Sequence, residues 1–145
     1  MTLQVDPQVQ AFISEPHFGV LATAGDDGGI QQAVIWYALD GDDIVINTEG
    51  GTAKARNIRR HAEVSLCLNA NFRYVTISGT AQVDENPDPQ LAMAITARYA
   101  TPEQMQQMAQ QRPPGQRVMI RIKVDKVVAW GFTGMFSLER YPQPT

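Results

Sequence analysis

A cluster of basic side chains follows a pair of glycines near the middle of the chain. Within seven positions the cluster holds four of the twelve Lys and Arg residues, namely Lys54, Arg56, Arg59 and Arg60. The preceding Gly50-Gly51-Thr52 is typical of a chain that leaves a strand and enters a helix, where the first backbone N–H groups lack intrahelical partners. A lysine in the first helical turn opposes the helix dipole, and a bound anion reverses that penalty. The pattern therefore predicts a phosphate site formed by these N–H groups, the Thr52 hydroxyl and the Lys54 ammonium.

Helical spacing divides this cluster into two faces. Asn57 lies three residues after Lys54 on one face, whereas the arginines lie toward the other, so only Lys54 and Asn57 need to contact a ligand. A solvated basic helix is the alternative, because charge runs are common on protein surfaces. The run lacks the Gly-Lys-Ser/Thr ending of a nucleoside-triphosphate loop and does not fit the spaced glycines of a dinucleotide fingerprint.

Other side chains with catalytic or ligating potential are sparse. Cys67 lies in an apolar stretch and is expected to be a small buried thiol, while His17 and His61 are expected to be structural or exposed. One cysteine and two isolated histidines fall short of the three or four ligands of a metal site. The carboxylates fall in turns and caps, and no Gly-x-Ser-x-Gly motif is present. We therefore predict no metal site and no catalytic side chain.

The elements that must position the basic cluster are mainly strands. Capping residues followed by proline at Asp6-Pro7, Asp88-Pro89 and Thr101-Pro102 predict three short helices in addition to the one after Thr52. Apolar runs cut by Asp/Gly turns predict strands over residues 18–24, 30–39, 44–48, 64–68, 74–83 and 117–130, the first three forming an antiparallel meander. About six strands with few helices predict a small barrel.

Length and charge limit the organisation of the chain and its partners. The 145 residues predict a single domain over residues 1–140, with residues 141–145 as a loose tail. The net charge of −3 argues against nucleic acid as a partner. The apolar run Phe18–Ala24 is far shorter than the roughly 20 residues of a membrane span. Since the first residues also lack a signal peptide pattern, we expect a cytoplasmic location and no membrane partner.

The order of these segments resembles a known family. A strand that ends in Asn47-Thr48, the segment Gly51–Arg60 and a following strand Val64–Leu68 are similar to the flavin/deazaflavin oxidoreductases of the pyridoxamine 5'-phosphate oxidase-like split-barrel family. The run Lys-x-Arg-Asn-Ile-Arg-Arg is most similar to the branch that binds the deazaflavin coenzyme F-420. The resemblance extends through residues 78–81 to residues 127–131. It implies a mainly β fold: a six-stranded antiparallel Greek-key split β-barrel with a few peripheral helices, forming a homodimer with sites across the interface.

The resemblance also implies positions around the cofactor. Residues 31–36 would run beneath the tricyclic ring, with Gln32 where FMN-binding oxidases of the family place a phosphate-binding Arg. Ala53 stands where pyridoxamine phosphate oxidases carry another Arg, so vitamin-forming oxidation is not expected. The implied contacts of the ring and ribityl chain are Gln32, Ala33, Val34, Trp36, Asn47 and Thr48. Those of the phosphate segment are Gly51, Thr52, Ala53, Lys54 and Asn57. Those from the partner chain are Tyr74, Ser78, Trp130 and Phe132.

These implications define one leading function and several alternatives. The leading expectation is a coenzyme F-420-dependent oxidoreductase that transfers a hydride between the cofactor and a small organic substrate. The first alternative is an FMN-dependent oxidoreductase of the same fold. The second is a non-catalytic protein that binds a flavin or a tetrapyrrole, and the third is a structural dimer with a solvated basic helix. Core packing is the alternative role for Trp36 and for Trp130.

Overall fold

The computed structural model describes residues 2–144, which form a mainly antiparallel β fold with four helices. The helices are α1 Pro7–Ser14, α2 Ala53–Arg60, α3 Pro89–Ala97 and α4 Pro102–Gln111. The strands are β1 Gly19–Ala24, β2 Ile30–Ile35, β3 Ala38–Asp40, β4 Asp43–Glu49, β5 Glu63–Ala70, β6 Arg73–Asp84, β7 Arg117–Trp130 and β8 Leu138–Pro142. The mainly β class is confirmed, and the count of six strands is wrong because there are eight in the described part of the chain.

All strand pairs are antiparallel, and they follow the order β2-β1-β5-β6-β7-β4-β3. The long strand β7 pairs with β6 along nearly its whole length, with a bulge at Ser78/Gly79. Its other edge is shared: the first half pairs with β4 and the second half pairs with β8. One long strand therefore joins two parts of the sheet.

The two ends of this strand order meet in space. Strands β2 and β3 are not paired with each other, yet only Trp36 and Tyr37 separate them in the chain. Because three peptide units join Ile35 to Ala38, their Cα atoms lie at most about 11 Å apart. The sheet is therefore rolled into a barrel that is split between β2 and β3. The prediction of one strand over residues 30–39, the middle strand of a meander, is wrong for this reason: this apolar run forms two strands, β2 and β3, which are the two edges of the split.

Residues from both ends of the sheet share one core. Side chains from β1, β2, β4, β5, β6 and β7 pack with Phe12 and Ile13 of α1, and all are nearly inaccessible to solvent. The buried Tyr37 hydroxyl donates to the Ile13 carbonyl oxygen over 2.7 Å, which ties α1 to the split. A smaller cluster of Ala38, Val45, Ile95 and Met119 packs α3 against the outside of β3, β4 and β7.

The predicted helix starts at Asp6, Asp88 and Thr101 are confirmed. Each of these side chains accepts a hydrogen bond from a backbone N–H in the first turn, and each helix has proline at its start. Thr101 and Gln104 form the reciprocal capping box that their spacing predicts.

The predicted loose tail is wrong for its first residues. Tyr141 and Pro142 pair with Val127 and Lys126, and the Gln143 backbone N–H donates to Asp125. The segment is too short for alternation of apolar and polar residues to predict a strand. It becomes a strand because it pairs with the free edge of β7. Thr145, like Met1 at the start of the predicted domain, lies outside the described residues. Within residues 2–144 no helix has the length and apolarity needed to cross a membrane.

Candidate functional site at the barrel split

A cavity of about 190 Å³ opens where the barrel is split, and we call it the split cleft. The end of β2, the end of β4 and the first turn of α2 form its wall. Its lining residues are Val34, Ile35, Trp36, Asn47, Thr48 and Lys54. All except Ile35 are residues that the family resemblance placed around a cofactor, so the fold brings these separate segments together.

Lys54 is the cation of the split cleft. Its side chain is half-buried, and burial lowers its pKa, with a further contribution from the positive charge of Arg117. Among the described residues no carboxylate forms an ion pair with Lys54. A half-buried ammonium without a carboxylate partner favours a bound anion, because desolvation of a charge is offset only by an opposite charge or by hydrogen bonds.

The N-terminus of α2 adds to this preference. Thr52 is the N-cap residue, but its side chain accepts no bond from the first turn and instead donates to the Glu49 carbonyl oxygen over 2.8 Å. The first turn contains no acidic residue. The positive end of the helix dipole and its free N–H groups are thus available to a ligand beside Lys54. A Cβ on the exposed Gly51 would meet nothing within 4 Å, so the entrance to this turn is open.

The other three cations of the cluster are engaged elsewhere. Arg59 forms a two-bond ion pair with Glu85, at 2.9 Å for each bond. Arg60 pairs with Asp26, which also bonds His61, and Arg56 donates to the Gly51 carbonyl oxygen. The arginines are exposed and do not line the split cleft. The arginines thus lie away from the cleft that Lys54 lines, as their helical spacing predicts.

Asn47 places an unpaired polar atom at the split. Its Oδ1 atom is buried and has no hydrogen-bond partner within the described chain. Such an orphaned acceptor is costly unless a ligand or water supplies a donor. Asn47 also lines a second, larger cavity, so it forms the boundary between two spaces.

Asn57, predicted to hold a phosphate, faces another neighbour. Its Nδ2 donates to the buried Thr23 hydroxyl of β1 over 3.1 Å, and it does not line the split cleft. In this structure Asn57 fastens α2 to the barrel. Of the residues predicted to hold a phosphate, which are Gly51, Thr52, Ala53, Lys54 and Asn57, Lys54 lines the split cleft and the others do not.

Strand β2 presents its backbone to the split as the edge of the sheet. It pairs only with β1, so one of its edges carries backbone groups that no described strand pairs. Gln32 is exposed with no side-chain partner among the described residues, and Ala33 points inward against the core. Val34 is 67% exposed although it lines the cleft.

Trp36 forms a flat wall supported from behind. Its ring stacks on that of Tyr99 with 4.9 Å between centroids and an angle of 5°. The Tyr99 hydroxyl donates to the His17 carbonyl oxygen over 2.7 Å, which fixes the supporting ring. Trp36 therefore both packs and lines the cleft. Tyr99 lies two residues after the end of α3 at Ala97.

Tyr74, Ser78 and Trp130 lie away from the split cleft of their own chain. They belong to the outer face of the sheet, the surface of β1, β2, β5, β6 and the end of β7 that points away from the core. Tyr74 stacks on Trp130 with centroids 6.2 Å apart. On the same face Val20 and Val34 are directly opposed and both exposed. Phe132, also expected from the partner chain, is half-buried and packs edge-on against Phe12 of its own chain, 5.2 Å between centroids.

A larger cavity beside the split was missed by sequence reasoning. It measures about 550 Å³ and lies between α3, α4 and the start of β7. Its only signal was the thin stripe of Met105 and Met108 on α4, a helix without buried residues.

Within residues 2–144, no group of three or more His, Cys, Asp or Glu side chains is arranged to bind a metal.

This architecture is similar to that of known proteins. A family model described as pyridoxamine 5'-phosphate oxidase matches residues 5–131. A solved structure described as an F420 reductase is similar over 85% of this chain and 98% of its own, with 22% identity and a TM-score of 0.70. A conserved hypothetical protein from Mycobacterium tuberculosis is 26% identical over 89% of this chain and 86% of its own, with a TM-score of 0.70. A pyridoxamine 5'-phosphate oxidase-related, FMN-binding protein from Nostoc punctiforme is 12% identical over 95% and 91%, with a TM-score of 0.62.

Proposed function

The chain belongs to the pyridoxamine 5'-phosphate oxidase family, and from that premise we propose that it is an oxidoreductase that holds coenzyme F-420 in the split cleft. One observation carries the proposal. Lys54 is half-buried at a helix N-terminus, and within residues 2–144 it has no acidic partner and lines the same cleft as the unpaired Asn47 oxygen. A phosphate at Lys54 and a ring N–H at Asn47 would satisfy both groups.

Different residues of the cleft bind different parts of the cofactor in this proposal. The Lys54 ammonium and the N–H groups of the first turn of α2 hold the phosphate. Trp36 supplies a flat apolar wall, and Val34 and Ile35 exclude water from the same side. When bound, the deazaflavin supplies the hydride chemistry, so no side chain needs to carry a redox step.

The charge at the cleft favours F-420 over FMN. The phosphate of FMN is a monoester with about two negative charges, whereas that of F-420 is a diester with one. Lys54 is the one cation that lines the split cleft in the described chain. The family resemblance implies that Gln32 and Ala53 stand where other members carry arginines. One cation matches one negative charge. The known folds of an F420 reductase and an FMN-binding protein are both similar to this one, so the residues rather than the fold support the choice.

A second copy of the chain completes the site in this proposal. Val34 lies both in the split cleft and on the outer face, where Val20 and Ile30 are exposed apolar neighbours. A copy that covers this face would lie next to the cleft, and its Tyr74, Ser78 and Trp130 would be the contacts from the partner. Replacement of Val20, which does not line the cleft, by Arg tests this arrangement, because it should shift the protein to monomers in analytical ultracentrifugation.

The cofactor is identified by direct titration. Purified protein is titrated with oxidised and reduced F-420, with FMN and with haemin, and binding is followed by fluorescence or absorbance. The proposal predicts tightest binding of F-420 and single-turnover bleaching of the reduced form when candidate acceptors are added. Tenfold tighter binding of FMN would contradict the choice of deazaflavin, and an absence of bleaching across a broad panel of acceptors would favour a non-catalytic binder.

A further inference from the structure

The large cavity beside the split has the size of a small-molecule site. At about 550 Å³ it falls within the roughly 300–1,000 Å³ of ligand pockets. We call it the α3–α4 pocket. Asn47 lines both this pocket and the split cleft, so the two cavities are neighbours.

Most of the α3–α4 pocket is apolar and adaptable. Its apolar lining includes Ala92 and Met93 of α3 and Met105, Met108 and Ala109 of α4. Met93 is 62% exposed, and α4 buries none of its residues, so these methionines line the pocket without being buried in the core. Flexible thioether side chains suit apolar ligands of varied shape.

Two guanidinium groups without carboxylate partners lie at the charged end of the pocket. Arg112 follows the last residue of α4, and Arg117 begins β7. Among the described residues neither forms an ion pair, and the Nε atom of Arg117 is buried without a hydrogen-bond partner. Burial and the nearby charge of Arg112 lower the pKa of Arg117, against a smaller opposing effect of the Glu49 carboxylate.

One carboxylate offsets part of this charge. Glu49 is opposite Arg117 in the sheet register and raises its pKa, but it forms no ion pair with it, and the net pKa shift of Arg117 is still downward. The Glu49 carboxylate packs over Gly115, where an added Cβ would overlap Oε1. Two like charges at the end of an apolar pocket are therefore complementary to a negatively charged group. The planar guanidinium group suits a carboxylate in particular, because it can donate two parallel hydrogen bonds.

We propose that the α3–α4 pocket binds a small amphipathic carboxylate, with its apolar body among the methionines and its carboxylate between Arg112 and Arg117. Its position next to the split cleft makes this the substrate site of the oxidoreductase, and that role rests on the proposed function. The binding of the carboxylate does not depend on that function, because it follows from the pocket alone.

Calorimetric titration with decanoate and with decanol tests the charge and the apolar wall separately. Decanoate should bind and decanol should bind about tenfold or more weakly, because decanol lacks the charge-assisted bonds. Arg117→Gln and the more exposed Arg112→Gln should each weaken decanoate by about tenfold while they leave decanol unchanged. Ala109→Trp, on the exposed surface of α4, should remove binding of both. Arg140→Gln on β8 is the matched control and should change neither.

Titration of the same variants with F-420 separates this proposal from the proposed function. Both Arg variants should keep the affinity for F-420, while Lys54→Ala should weaken F-420 and keep decanoate. Equal affinities for decanoate and decanol, or loss of F-420 affinity with unchanged decanoate in Arg112→Gln, would overturn the carboxylate site. Decanoate binding by a protein that binds neither F-420 nor FMN would support the carboxylate site and overturn its role as a substrate site.

Discussion

The first and last turns of α2 carry the same kind of charge in opposite circumstances. Lys54 in the first turn is half-buried, opposes the helix dipole and has no acidic partner in the described chain. Arg59 and Arg60 in the last turn are exposed, complement the dipole and pair with Glu85 and Asp26. The two ion pairs of the last turn are thus complete without a ligand, whereas the ammonium of the first turn has no such partner among the described residues.

This difference separates a surface cluster from a binding site. Cations at the C-terminus of a helix are favourable and need no ligand to explain them. The solvated-helix explanation therefore accounts for Arg59 and Arg60. It does not account for Lys54, which pairs with no carboxylate of residues 2–144 and lines a cleft together with the unpaired Asn47 oxygen.

Reversal of the charge in the first turn gives the largest expected effect. Lys54→Glu should reduce F-420 binding by more than about 3 kcal/mol, because repulsion replaces a hydrogen bond to a charged group. The ligand-free protein should become more stable by roughly 0.3–1 kcal/mol, since a carboxylate in the first turn complements the dipole. Fluorescence titration and thermal unfolding measure the two effects. Unchanged affinity of Lys54→Glu for F-420 would show that the anionic group of the cofactor does not bind at Lys54.

Two asparagines near the first turn should behave in opposite ways. Asn47→Ala should reduce F-420 affinity by about 0.5–1.5 kcal/mol without loss of stability in the ligand-free protein, because its Oδ1 has no partner to lose. Asn57→Ala should reduce stability by about 1 kcal/mol through the lost bond to Thr23, with affinity nearly unchanged. Urea unfolding and ligand titration of both variants provide the comparison. The reverse pattern would assign the phosphate to Asn57.

The pH dependence of binding follows from the charge of Lys54. Burial and the charge of Arg117 lower the pKa of Lys54 below the ordinary value of 10.5. Only the protonated form attracts an anion, so affinity for F-420 should fall as the pH rises through this lowered pKa. Lys54→Arg keeps its charge over the whole range and should give a flatter profile. Matching profiles for the two proteins would show that another group titrates.

The last turn should give the smallest effect. Hydrogen bonding to His61 and the charge of Arg60 lower the pKa of the exposed Asp26. A carboxyl with a lowered pKa stabilises the fold above its ordinary value of 3.8, and this contribution is lost as the pH falls through the lowered pKa. Asp26→Asn should lower the melting temperature slightly at neutral pH and not in acid. Its F-420 affinity should equal that of the wild type, and a change would link the last turn to the ligand.

Local sequence signals predicted most of the elements. The caps at Asp6, Asp88 and Thr101 act within one helical turn, so the residues alone determine them. Alternation and turn residues located most strands. The break at Trp36-Tyr37 was not predicted, because it arises where a buried tyrosine hydroxyl bonds α1 and the sheet closes on itself.

The candidate site was predicted only in part, because some of its features depend on long-range packing. Family resemblance supplied Val34, Trp36, Asn47, Thr48 and Lys54, which the fold brings together. The bond from Asn57 to Thr23 depends on how α2 packs on β1, which is a long-range property. The α3–α4 pocket also depends on packing between separate helices, and its two arginines carry no motif in the sequence.

The central claim is that Lys54 holds the anionic group of a deazaflavin, and one matched pair of variants tests it most directly. Lys54→Ala and Arg60→Ala each remove one cation from the same helix. Titrated with F-420, Lys54→Ala should bind more weakly by about 1.5–3 kcal/mol, or about 10- to 150-fold, while Arg60→Ala should bind as the wild type does. Equal affinities for the two variants would contradict the claim and would favour the alternative, in which the whole basic cluster is a solvated surface.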